Sequence, residues 1–111
     1  MEVLFPTRKD QQLYSSRAAL VRRFGFEEAD LIMRRLAQLR AADNLAIMGC
    51  LPPARCHQLV GDKRGQFSVD LKHPYRLVFA PVAPVPRLPD GGIALARVTA
   101  IVIIERVDYH G

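Results

Sequence analysis

The residues best suited to chemistry in this 111-residue chain are two histidines and one arginine, namely His57, His110 and Arg76. A histidine side chain titrates near neutral pH, so it can accept or release a proton under cellular conditions. An arginine guanidinium keeps its charge and presents parallel N–H donors to a phosphate. These residue types suit metal-free cleavage of a phosphodiester, which needs a base, a cation and an acid.

Each of these residues also has an ordinary structural explanation. A single histidine on a strand is more often a plain surface residue than a catalytic one. Arg76 could form an ion pair across a sheet with Asp70 or Asp108, as in any β protein. A catalytic and a structural role can coexist, so both remain open for Arg76.

The end of the chain carries further candidates, because Asp108 and Tyr109 directly precede His110. Asp108 could orient a histidine or share in proton transfer, and Tyr109 could stack on an exposed base or bind the phosphate. Terminal residues are often frayed and unimportant. Here the apolar stretch 98–104 leads directly into them, so a sheet would hold them in place.

Two short turns add cationic side chains that could position a polyanion. Lys63 and Arg64 lie between two glycines, and Lys72 and His73 lie in the next turn. Such turns usually face water and have no partner. If both lie along the same edge as Arg76, their side chains would contact phosphates and add affinity without sequence preference.

The net charge of +5, from 16 lysines and arginines against 11 acidic residues, indicates an acidic partner. Thirteen of the cations are arginine, but coding bias also produces arginine-rich chains, so charge alone decides little. Cys50 and Cys56 lack the spacing of a zinc site and are predicted to be free thiols. No apolar stretch is long enough to span a bilayer, so we expect a cytoplasmic protein. We also expect the protein to use no cofactor.

The first half of the chain has mainly helical patterns. After a short apolar strand "EVLF", one helix is predicted from about Asp10 until Gly25 stops it. A second helix is predicted over residues 26–43, with an apolar stripe made of Ala29, Ile32, Leu36 and Leu39. Its charged face is predicted to be solvated, including the arginines Arg34, Arg35 and Arg40. The two helices should pair as a hairpin.

The second half has the alternation of strands. Residues 56–60 predict a short strand, and residues 66–72 alternate so that Phe67, Val69 and Leu71 share one face. Residues 75–82 should form an antiparallel neighbour, residues 81–95 a proline-rich loop, and residues 98–107 a central strand covered on both faces. The order of elements predicts a single α+β domain, with the helical hairpin on one face of a mostly antiparallel sheet.

Residues 51–79, "LPPARCHQLVGDKRGQFSVDLKHPYRLVF", together with the ending "VDYH", resemble HigB-type toxins of the RelE/ParE superfamily. The "GD..G" turn, the "YR.VF" strand and the terminal "DYH" are strong in combination. The chain departs from the pattern at Val60, where the family often has lysine, and at Tyr75, where it has tryptophan. The proline-rich loop is also longer.

The resemblance implies a RelE-like fold and a toxin of a type II toxin–antitoxin pair. Such toxins cut mRNA in the ribosomal A site by attack of the ribose 2′-hydroxyl, without a metal. A HigA-like helix-turn-helix antitoxin neutralises them, and operator DNA is bound only through the complex. The implied catalytic residues are His57, Arg76, Asp108, Tyr109 and His110, and the implied RNA-binding residues are Lys63, Arg64, Lys72 and His73.

Two other functions remain open. The same fold could serve a non-nucleolytic protein, either a gyrase inhibitor of the ParE branch or a decayed toxin that only binds its antitoxin. The chain could also be a basic nucleic-acid-binding domain without a partner protein. That reading is the weakest, because Phe67, Tyr75 and Phe79 are assigned to an apolar face and cannot form a stacking platform.

Overall fold

The computed structural model describes residues 1–108 and has the α+β architecture predicted from the sequence. The helices are α1 (Arg8–Tyr14), α2 (Arg17–Phe24), α3 (Phe26–Ala41) and α4 (Leu45–Met48). The strands are β1 (Glu2–Leu4), β2 (His57–Gln58), β3 (Phe67–Asp70), β4 (Tyr75–Pro81) and β5 (Ala100–Asp108). The helices therefore precede most of the sheet along the chain, as expected.

The five strands form one sheet in the order β1-β5-β4-β3-β2. Only the contact between β1 and β5 is parallel, and the other three neighbouring pairs are antiparallel. The mostly antiparallel sheet of the sequence prediction is thus confirmed. In the hairpin of β3 and β4, Asp70 lies opposite Arg76, which brings the candidate arginine beside one of its two possible ion-pair partners.

The prediction of a single first helix is wrong in one respect, because the structure has two helices there, α1 and α2, separated by Ser15 and Ser16. The Ser16 hydroxyl accepts a hydrogen bond from the Ala19 amide at 3.1 Å and so caps the start of α2. A single residue, Gly25, then joins α2 to α3. Its φ of 87° is strained for any residue with a Cβ, so a glycine ends α2 as predicted.

The apolar stripe of α3 lies fully buried against one face of the sheet. Each of its four predicted residues is at most 1% exposed. The core that they form with the strands includes Leu20 of α2 and, from the sheet, Phe67, Val69, Leu77, Phe79, Ile101 and Ile103. We call this side of the sheet the covered face and the opposite side the open face. The hairpin of α2 and α3 on one face confirms the predicted packing.

One arginine of α3 contradicts the expectation of a solvated face. Arg35 is only 6% exposed, and its guanidinium donates to the backbone carbonyls of Asp70 at 2.7 Å and Pro53 at 2.8 Å. A buried guanidinium is tolerated because its donors find acceptors. Arg35 thereby ties α3 to the two chain segments that carry the candidate site.

Smaller differences concern the boundaries of elements. The short helix α4 lies between the predicted second helix and the first predicted strand of the second half, and the Asn44 side chain at its start accepts a hydrogen bond from the Ile47 amide at 3.1 Å. Strand β5 is central, as predicted, but Val102 and Ile104 are only partly buried, so its second face is incompletely covered. Within residues 1–108, no helix has the length and apolar character required to cross a membrane.

Candidate active site

The open face of the sheet brings together two residues that lie 19 positions apart, His57 and Arg76. Strand β2 pairs with β3 so that His57 lies opposite Ser68, and paired side chains share a face. The Nε2 atom of His57 lies 3.1 Å from Nη1 of Arg76 and 3.4 Å from the Ser68 hydroxyl. The sheet therefore places one of the two candidate proton-transfer residues in direct contact with the candidate phosphate-binding arginine.

The other ring nitrogen of His57 determines which tautomer faces the arginine. Its Nδ1 donates to the backbone carbonyl of Arg55 at 2.8 Å. Arg55 has a φ of 48°, in the left-handed region that non-glycine residues seldom adopt, and strained backbone of this kind clusters at functional sites. In this tautomer His57 carries its proton on Nδ1, and the Nε2 lone pair accepts a hydrogen bond from Arg76, so Nε2 can act as a base once Arg76 turns away.

Two guanidinium groups approach the Asp70 carboxylate. Arg76 Nε lies 3.5 Å from Oδ1, and Arg55 Nε lies 3.4 Å from Oδ2. Both distances exceed those of a good charge-assisted hydrogen bond. Among residues 1–108, the buried Oδ1 atom has no hydrogen-bond partner. This network confirms that Arg76 contacts Asp70 across the sheet.

These residues line a polar cleft of about 280 Å³ at the end of the sheet where β3 turns into β4. Its walls include Arg55, Asp70, His73, Tyr75 and Arg76. The Arg76 side chain is 30% exposed, so solvent reaches the guanidinium. A cleft with this many cations and one carboxylate suits a ligand that carries negative charge.

The two cationic turns lie at opposite ends of β3, so they do not share one edge. The first turn, with Lys63 and Arg64, connects β2 to β3, and the Lys63 ammonium reaches Glu105 of β5 at 3.4 Å. The second turn, 71–74, borders the polar cleft through His73. Lys72 points instead to α3, where its ammonium binds the Glu27 carboxylate and lowers the pKa of Glu27.

The pairing of β4 with β5 decides which face of the sheet the last residues of β5 belong to. Arg76 is paired with Val107, and Asp108 is paired with Tyr75, which packs against the core. Alternation along the strand thus assigns Asp108 to the covered face. Tyr109 and His110 lie outside the described residues, so the roles suggested for all three remain predictions.

Sequence reasoning missed Arg55 and Ser68 as neighbours of His57. Ser68 had a signal, since it lies on the polar side of the alternating strand, whereas nothing in the sequence pattern marks the unusual backbone of Arg55. The two cysteines are free thiols, as predicted, and burial raises the pKa of Cys56 to about 11. Cys56 is therefore a poor nucleophile at neutral pH despite its position beside His57. No group of three His, Cys, Asp or Glu side chains in the described part could hold a metal ion.

No protein-family model and no curated protein matches this chain. A search of solved structures finds similarity to a YoeB/ParE toxin from Agrobacterium tumefaciens, with a TM-score of 0.54 over 99% of this chain and 100% of that one. The chain has a RelE/ParE-type fold. Sequence identity over the matched region is only 13%, so the likeness extends to the fold and leaves the chemistry to be argued from the site itself.

With the RelE/ParE-type fold as its framework, the site can do two things at once. An imidazole can remove a proton when its Nε2 is released from Arg76, and the adjoining guanidinium can stabilise negative charge as it develops. Arg76 lines a cleft that is open to solvent and contains more positive than negative side chains, and His57 contacts this arginine at 3.1 Å. Proton removal next to a bound anion is the chemistry that this geometry supports best.

Proposed function

We propose that this protein is a HigB-like toxin of a type II toxin–antitoxin pair, which cleaves mRNA in the ribosomal A site without a metal. The observation that carries the proposal is the contact between His57 Nε2 and Arg76 Nη1, at 3.1 Å on the border of a cationic cleft. A base and a phosphate clamp must stand this close to act on one phosphodiester. The RelE/ParE-type fold and the resemblance of residues 51–79 support the same conclusion.

The reaction begins when the scissile phosphate binds Arg76. The guanidinium turns from His57 to the phosphate, and this movement exposes the Nε2 lone pair. His57 then removes the proton of the ribose 2′-hydroxyl, and the 2′ oxygen attacks phosphorus while the bond to the 5′ oxygen breaks. Arg76, with Arg55 beside the same carboxylate, stabilises the charge of the phosphorane. The products are a 2′,3′-cyclic phosphate and a 5′-hydroxyl.

The leaving 5′ oxygen needs a proton, and we propose that His110 supplies it. Asp108 would orient that histidine and Tyr109 would stack on a base, as the "DYH" ending of HigB-type toxins suggests. This part of the proposal is supported by the motif, since Tyr109 and His110 lie outside the described residues. A His57→Ala, His110→Ala double variant should be inactive.

The proposed partners follow from the same class. The ribosome and mRNA would be bound through positive charge, with Lys72 and His73 contacting phosphates near the polar cleft and Lys63 and Arg64 contacting phosphates at the opposite end of β3. A HigA-like helix-turn-helix antitoxin would neutralise the toxin in the cytoplasm and alone connect it to operator DNA. The net charge of +5 supports a polyanionic target.

One observation favours a different function. Arg76 already lies near Asp70, and His57 already accepts a hydrogen bond from Arg76, so the cluster also resembles an ion-pair network that stabilises a sheet. In that case the chain would be a non-nucleolytic protein of this fold, either a gyrase-directed inhibitor or a decayed toxin that only binds its antitoxin. The two functions differ in whether His57 is needed for toxicity.

The test is cleavage of a defined mRNA in a reconstituted translation system, with and without ribosomes. We expect cleavage only when ribosomes are present, and a loss of about 100- to 10,000-fold in rate for His57→Ala, as is usual for a proton-transfer group. Gln58→Ala is the matched control, because it changes the neighbouring exposed residue of β2 and should cleave normally. Intact mRNA with the unmodified protein, or full activity in His57→Ala, would exclude the proposal. If either result is obtained and the protein inhibits gyrase, the protein is a gyrase-directed inhibitor.

A further inference from the structure

A second cleft adjoins the polar one on the other side of the turn at residues 71–74. It measures about 360 Å³ and lies between the α2–α3 junction and the start of β4. His73 and Tyr75 line both clefts, so a ligand that binds near Arg76 can continue around the turn into the second one. The remaining walls are Phe24, Gly25, Phe26, Glu27, Glu28, Lys72 and Arg106.

The walls of this cleft are aromatic and firmly held. Arg106 is inserted between two rings, with its guanidinium carbon 3.6 Å from the centre of Tyr75 and 4.4 Å from that of Phe24. The Glu28 carboxylate holds the guanidinium at 3.1 Å. Phe26 contributes a third ring, which is 63% exposed although a large apolar side chain is usually buried. Aromatic surface is therefore preorganised beside the phosphate-binding cleft.

We propose that the aromatic cleft binds the nucleobase adjacent to the phosphate held by Arg76. This inference rests on the proposed function, since it names the part of the RNA that the second cleft would take. A nucleobase is planar and apolar on its faces, so it stacks on exposed rings such as Phe26. Its edges carry donors and acceptors, and the Glu27 carboxylate and the Lys72 ammonium stand at the rim to meet them.

The arrangement of charge favours a nucleotide over an apolar peptide segment. The polar cleft presents the guanidiniums of Arg55 and Arg76, and the adjoining cleft presents rings, which matches the alternation of phosphate and base along RNA. An apolar peptide would have to bring its backbone across the cations of the turn without a charge to neutralise them. A partner peptide is therefore the competing outcome of the test.

The experiment measures binding of a trinucleotide whose 2′-hydroxyl at the cut site is replaced by hydrogen, so that it cannot be cleaved. Binding is followed by the NMR shifts of the Phe26 and Tyr75 ring protons. A second probe lacks the base next to the scissile phosphate. We expect the unmodified protein to bind the abasic probe about 5- to 150-fold more weakly, the range of one stacked base.

Phe26→Ala should bind the complete probe more weakly by a similar factor and should no longer distinguish it from the abasic one. Phe26→Trp retains a stacking surface and should preserve the discrimination. Met33→Ala is the matched control, because Met33 is an exposed apolar residue of α3 that does not line the cleft.

Equal affinity of the unmodified protein for both probes, or the absence of saturable ring shifts, would overturn the base-binding site. Shifts produced only by an apolar peptide would overturn it in favour of protein docking. Failure of the proposed function is seen separately, as intact mRNA in the translation assay. The two failures are thus distinguishable.

Discussion

Two arginines on neighbouring strands, Arg76 of β4 and Arg106 of β5, illustrate how differently one side chain is used on the two faces of this sheet. In the strand register Arg76 is paired with Val107, and Arg106 is paired with Leu77, so a step of one residue separates them. Arg106 lies on the covered face, where its side chain is 18% exposed and its partner Glu28 only 5%. Arg76 lies on the open face beside His57.

The difference lies in what holds each guanidinium. Arg106 has a carboxylate at 3.1 Å and an aromatic ring on each side, so its charge is neutralised and its position is fixed by packing. Arg76 lies 3.1 Å from Nε2 of His57, and its carboxylate contact is 3.5 Å long. A guanidinium that lines a solvent-exposed cleft can be reached by a phosphate. We therefore expect Arg106, on the covered face, to stabilise the fold, and Arg76, on the open face, to act in the reaction.

The strongest test of the comparison is Arg106→Met. It leaves the Glu28 carboxylate buried without a counter-charge, which costs about 3–5 kcal/mol of folding free energy when one member of a buried pair is removed. Urea denaturation should therefore show a large fall in the midpoint. The double variant with Glu28→Gln should recover part of the loss, because it also removes the uncompensated charge. A loss below about 1 kcal/mol would mean that the covered face does not depend on this pair.

The corresponding change on the open face, Arg76→Ala, should act on rate more than on stability. Removing one preorganised donor to a developing oxyanion costs about 100- to 1000-fold in rate. Because the ion pair with Asp70 is long and partly exposed, we expect the folding free energy to change by less than in Arg106→Met, even though the contact with His57 is lost as well. Arg76→Lys keeps the charge without the planar fork and should recover only part of the activity. If Arg76→Ala is as unstable as Arg106→Met, both arginines are structural.

The sequence predicts which residues of a strand lie on each face of the sheet, but it does not predict which residues meet at the site. Alternation along residues 66–72 correctly assigned Phe67, Val69 and Leu71 to the core and left Asp70 on the polar side. It carried no information about the pairing of β2 with β3 or about the backbone of Arg55. Those features depend on contacts between residues distant in sequence, and they decide that His57 meets Arg76.

The sequence of helix α3 contains a signal for two buried charged residues. Glu28 and Arg35 lie four residues before and three residues after Ile32, so helical spacing already placed both on the apolar stripe. Both are buried, and each finds its partner outside α3: the Arg106 side chain for Glu28, and the backbone carbonyls of Pro53 and Asp70 for Arg35. A charged residue at a stripe position therefore predicts a buried polar contact more often than the usual rule of solvated helical charges suggests.

The smallest effect is expected at the rim between the two faces, where Glu27 and Lys72 form an exposed ion pair. The Lys72 hydrogen bond lowers the pKa of Glu27, so any stabilisation is present above the ordinary glutamate pKa of 4.5 and is lost as pH falls through the lower folded value. Glu27→Gln should make the urea midpoint slightly less sensitive to acid and change it little at pH 7. Asp30→Asn, which removes the exposed pair with Arg17, is the matched control and should behave alike in stability. Only Glu27→Gln should also alter RNA binding, because Glu27 and Lys72 stand at the rim of the aromatic cleft, where they would meet the edge of the bound base. If both variants bind RNA with the same affinity, the Glu27–Lys72 pair takes no part in RNA binding, and the function depends on the residues of the open face.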